Sequence, residues 1–202
     1  MEVPKIHLSS AESDLMQNAS VILTKNSVLQ KIKKILEEVQ EKQLSFVNQN
    51  NLDKTGFFLV HPKISKGENY AGLPYLILDY PRITSETGLF FIRNMFWWGN
   101  FFSSTLHLSG SYKEKFKENI IRSFPLLDNY FIGINPDPWV HHFEKINFKK
   151  IESLTIKEFE NACEQFNYLK IAAKWPLNEW EQASENLIQS WKFLLSMCGL
   201  IS

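Results

Sequence analysis

Apolar residues recur at three- and four-residue spacing near both ends of this chain and lose that period in its middle. At the start, Ser9 followed by Glu12 has the form of a capping box and predicts a helix reaching about Leu23. A second helix is expected from about Ser27 to Asn48, with Val28, Ile32, Ile35, Leu36, Val39 and Phe46 on one stripe and a break at Glu41–Gln43. The run "NQNNLDKTG" (48–56) is turn chemistry and closes this section. At the far end, Asn178 with Glu181 predicts the opening of a last helix. Its buried face would carry Trp180, Ala183, Leu187, Trp191, Leu194 and Cys198.

Between these ends the pattern becomes that of strands. "LPYLILDY" (73–80) is almost wholly apolar, as a strand buried on both faces would be. The mixed run "HPKISKGENYAG" (61–72) ahead of it reads as a surface loop, and "PRITSETG" as the link to a hairpin. "YFIGIN" and "WVHHFEKINF" read as strands joined across "PDP", because proline suits a connection better than a strand centre. "YLKIAAKW" (168–175) is a further strand. Helices are expected over 111–124 and, from a second capping box at Thr155 and Glu158, to about Phe166. The sum is one α+β domain: a mainly antiparallel sheet of about five to seven strands with helices at both ends. Within it, residues 1–50 are helical, 57–175 form the sheet with one or two inserted helices, and 178–198 form the amphipathic C-terminal helix. Expected core residues are Leu76, Leu78, Phe91, Met95, Leu106, Ile132, Trp180, Leu187 and Trp191.

The hairpin at 88–110 is where chemistry concentrates. A two-residue Gly99-Asn100 turn of type II′ would place opposite residues at numbers summing to 199. Strand alternation then gives one greasy face, interrupted by Arg93. The other face would collect Asn94, Ser103, Thr105 and His107 beside Phe96 and Trp98. Apolar walls with a few convergent polar groups are what a small-ligand pocket needs, and Arg82 or Arg93 would add charge suited to an anionic ligand. An ordinary reading of the same arginines is an ion pair with Asp79.

Composition narrows the classes. With 22 basic and 22 acidic residues the chain has no net field to recruit nucleic acid or an anionic membrane. No apolar run approaches the ~20 residues that cross a bilayer, and "MEVPKIHLSS" has no signal-peptide pattern, so a cytoplasmic protein is expected. Two cysteines make neither a disulfide framework nor a thiolate metal site. No cofactor motif and no nucleophile elbow is present. Three functional readings follow. The first is non-catalytic binding of a protein partner or second copy through exposed Trp97, Trp98 and Phe101. The second is the pocket, or an enzyme site, on the polar face of the hairpin. The third is a metal-dependent hydrolase using His142 and Glu144, which share a strand face, with His61 or His107 as a third ligand.

Overall fold

The computed structural model describes residues 6–201; residues 1–5, half of the stretch read against a signal peptide, and residue 202 lie outside it. The described residues form a seven-stranded antiparallel sheet with five α-helices. The strands are β1 (Lys63–Tyr70), β2 (Leu73–Ser85), β3 (Gly88–Trp97), β4 (Phe101–Ser109), β5 (Phe131–Gly133), β6 (Phe148–Lys150) and β7 (Tyr168–Pro176). Their order across the sheet is β1-β2-β3-β4-β7-β5-β6. The helices are α1 (Ser10–Gln17), α2 (Ala19–Gln49), α3 (Ser111–Arg122), α4 (Ile156–Glu164) and α5 (Ala183–Met197). No helix of the described residues is long and apolar enough to cross a membrane.

Both capping boxes form: Ser9 and Glu12 open α1, and Thr155 and Glu158 open α4. The break between the first two helices falls at Asn18, earlier than expected. The Asn18 side chain accepts the Ser20 N–H and starts α2, which then runs unbroken through 41–43. Nothing in that interval removes a backbone donor or adds backbone freedom, so helix propagates. At the other end the chain makes a 3-10 turn over Leu177–Gln182, with Glu179 outside helical geometry, before α5 begins. That turn takes Trp180 out of phase with the buried stripe. It is 38 % exposed, whereas the other expected core residues are buried.

Strand expectations also change: β2 continues through Pro81–Ser85, where a link to the hairpin is expected, because Arg82 to Ser85 pair with Phe91 to Gly88. The 61–72 loop contains β1, a half-exposed edge strand whose polar residues hide the alternation. The Tyr75 ring lies over Gly67 where a Cβ would be, so a larger residue there would have to displace that ring. Of "WVHHFEKINF" only Phe148 joins the sheet, at the start of β6.

The helices lie on one side of the sheet. Phe90, Ile92 and Phe96 of β3 and Leu108, Leu106 and Phe102 of β4 face that side with Tyr80, Ile171, Leu187 and Trp191. Trp191 stacks on Tyr80 at 6.2 Å and its indole N–H donates to the Tyr80 carbonyl at 2.6 Å, locking α5 to β2. Replacing the fully buried Leu106 with Ala should cost about 3 kcal/mol in urea unfolding. A loss of a few tenths, as at surface positions, would contradict this placement.

Candidate functional site

The hairpin register decides where the polar residues go. Trp97 pairs with Phe101 across a three-residue loop, Trp98-Gly99-Asn100, with Gly99 at φ +71°. Partner numbers therefore sum to 198, as in Phe90 with Leu108 and Arg93 with Thr105. A one-residue slip turns one whole strand over, and the predicted pocket is split by it. Asn94, Phe96 and Trp98 belong to the helix side; Ser103, Thr105, His107, Arg93 and Arg82 belong to the opposite side. The physical reason lies in the apolar positions. Only the even-with-even register puts Ile92, Phe96, Phe102, Leu106 and Leu108 on one helix-covered face.

On the helix side Asn94 sits opposite Ser104, and both are fully buried with no hydrogen-bond partner, as is Gln43 of α2. These polar residues fall between the two apolar clusters of the helix side.

On the other side, residues 134–147 cross the sheet as a compact Ω-loop, here called the strap. Its ends meet through the Ile134 N–H and the Asn147 carbonyl at 2.8 Å. Below it lie Asp79 of β2, Phe91 and Arg93 of β3, Thr105 and His107 of β4, and Lys170 of β7, which is the ladder partner of His107. Arg93 grips Asp79 through Nε and Nη2, both at 2.8 Å, so the expected ion pair forms and Arg93 is its member. A third arginine nitrogen, Nη1, donates to His141 Nε2 of the strap at 3.1 Å. Because arginine can only donate, His141 is neutral at Nε2. Burial, with Lys170 and Arg93 close by, holds its pKa well below the usual histidine value.

Lys170 fastens the strap. Its Nζ donates to the Pro138 carbonyl at 3.0 Å and to the Val140 carbonyl. Burial, reinforced by Arg93, pushes its ammonium down to about 7. The Tyr70 hydroxyl accepts the His141 backbone N–H and pairs with His142 Nδ1 at 3.0 Å. Further along, Lys174 lies over the rings of Phe101, Phe131 and Phe143.

At the centre is His107, fully buried among the rings of Phe91 (4.7 Å), Trp139 (5.5 Å) and Tyr168 (5.7 Å). Neither ring nitrogen has a hydrogen-bond partner. Burial, then Lys170 and Arg93, pushes its pKa down to about 3, so it is a neutral imidazole offering one donor and one acceptor. Its roof, Trp139, stacks on Phe91 at 6.1 Å and is half exposed.

The other predicted residues lie outside this cluster. Arg82 shares the strap side but donates to the His61 carbonyl at 2.8 Å, tying down the approach to β1. His142 Nε2 and Glu144 are 3.9 Å apart, and no group of three His, Cys, Asp or Glu residues able to share a metal occurs among the described residues. Trp97 and Phe101 are each only 8 % exposed, packed against Tyr70 and Phe143, so these two aromatics turn inward and of the three only Trp98 is partly exposed. Cys163 and Cys198 are buried, and burial pushes the Cys163 thiol up to about 12, far from a nucleophilic thiolate.

Lys170, His141 and Tyr70 were not anticipated. A lysine in the centre of "YLKIAAKW", an otherwise apolar strand, was the available signal, since lysine is almost never fully buried without a task. No protein-family model, no curated protein and no solved structure matches this chain.

Proposed function

We propose that the protein is a non-catalytic binding protein for a small oxyanion, a carboxylate or a phosphate, received between the sheet and the strap. The reading rests on one observation: the two unpartnered ring nitrogens of His107, buried beside Lys170 and within the field of Arg93. A buried polar group without a partner costs about 1–3 kcal/mol, and an acceptor bound there would relieve that cost at the N–H of the ring. Arg93 is neutralised by Asp79, so the charge left to meet an anion is that of Lys170. Beside the aromatic packing of Trp139 and Phe143, the strap is held over the site by the polar contacts of Arg93 and Lys170, and Trp139 in its span would report its movement.

Thermal unfolding in a non-coordinating buffer with phosphate, sulfate or small carboxylates tests the reading. At ligand concentrations near 100 Kd the midpoint should rise by roughly 5–10 °C. The gain should shrink as pH rises from 6 to 9, because Lys170 loses its proton near 7 and the site loses its positive charge. It should vanish in Lys170→Met and in His107→Phe. If no anion shifts the midpoint, or if both variants respond like the parent protein, the proposal fails.

A further inference from the structure

The hairpin tip carries a second feature, independent of the strap. Partly exposed Trp98 lines two open apolar grooves. One, of about 440 Å³, is walled by Val28 and Ile32 of α2, by Phe96 and Phe102, and by Leu177 and Trp180. The other, of about 540 Å³, lies on the opposite flank of Trp98 between Val21 and Thr24 of α2 and Leu73-Pro74 of β2. Val21, Thr24, Val28 and Ile32 follow one side of α2, which at 1.5 Å per residue gives a trough roughly 17 Å long. Trp180, left exposed by the turn before α5, forms one wall, so an amphipathic indole faces the trough from the solvent side.

Each groove holds a single charged side chain. Lys25 is engaged by Glu68 at 2.7 Å, whereas Lys31 makes no ion pair among the described residues. A long, narrow, apolar trough with one uncommitted ammonium at its rim matches a ligand with a linear hydrocarbon body and one anionic head. We infer that this trough binds a long-chain carboxylate, a fatty acid, with its chain along α2 across Trp98 and its carboxylate at Lys31.

Dodecanoate and dodecanol, titrated against tryptophan fluorescence and by calorimetry, are the probes. Dodecanoate should bind and perturb Trp98 and Trp180. Lys31→Glu, at an exposed helix position, should weaken dodecanoate about tenfold, since reversing a rim charge replaces attraction by repulsion. The same variant should leave dodecanol unchanged. Trp98→Ala should weaken both probes, while Lys170→Met and His107→Phe should affect neither, which separates this site from the one under the strap. Circular dichroism of each variant should match the parent protein. Absence of dodecanoate binding overturns the inference, as does binding indifferent to Lys31→Glu. A concentration-dependent dimer that Trp98→Ala dissolves, without dodecanoate binding, would assign the trough to a second copy and also overturn it.

Discussion

Replacing Asp79 with alanine should destabilise the protein by about 3–5 kcal/mol, the scale of a charge left without its buried partner. Both side chains of the Asp79–Arg93 pair are about one-sixth exposed, at 17 % and 16 %, so solvent can offer little to the stranded guanidinium. Arg93 would then lose its own counter-charge while still repelling Lys170, and its contact to His141 Nε2 would lose the orientation set by the carboxylate. Urea unfolding should show a large drop in midpoint. The double variant Asp79→Leu with Arg93→Met removes both charges together and should recover most of the loss, because an apolar pair of similar volume has no charge to desolvate. If the single variant lost less than about 1 kcal/mol, the range of exposed pairs, the pair would be a surface ornament.

The second large effect is a dependence on pH. The Lys170 ammonium titrates at about 7 in the fold, against an ordinary value of 10.5. Between those values the unfolded chain holds a proton that the folded protein does not, so stability rises with pH across that interval. It is complete above 10.5, and below 7 both states are charged and the dependence disappears. The slope is ~1.4 kcal/mol per pH unit, and the full swing is on the order of 5 kcal/mol. The urea midpoint should therefore climb steadily between pH 7 and 9. Lys174, also lowered by burial, contributes with the same sign. Lys170→Met isolates the larger part: its curve should be much flatter, and should fall below the parent's at high pH, where the Pro138 and Val140 carbonyls lose their donor with no buried charge removed in exchange. A parent curve flat over this range would mean that Lys170 stays charged inside the fold. His107, titrating near 3 against 6.5, should add a separate rise between those values.

What could be read from the chain follows the reach of each interaction. The capping boxes at Ser9 and Thr155 involve residues three apart and form as expected. The buried strand at 73–80 and the amphipathic face containing Leu187 and Trp191 also stand, because their patterns lie within one element. The hairpin register does not, because Gly99-Asn100 suits a two-residue turn and a three-residue one alike. The choice is made by packing against helices distant in sequence. Within the strap, "WVHHFEKINF" (139–148) looks like a strand because its His and Phe residues mimic alternation. What it lacks is a neighbouring strand, and its backbone partners are instead Lys170, Tyr70 and its own Asn147. For the same reason the candidate site emerges only in three dimensions. Asp79, Arg93, His107, His141 and Lys170 come from five separate segments; strand order brings four of them together and the strap delivers His141.

The closed neck of the strap has a consequence for how such a protein can diversify. Because Ile134 and Asn147 are already joined at the mouth of β5 and β6, closure of the loop is settled locally, and only the contacts of Pro138–Phe143 tie its span to the sheet. Positions of the span that do not touch the floor, such as Glu144 to Ile146, can therefore vary, with Pro138 to His141 keeping Lys170, Arg93 and His107 in place beneath it. A library varied at those positions alone would sample new recognition chemistry over an unchanged scaffold, much as hypervariable loops do on a fixed framework.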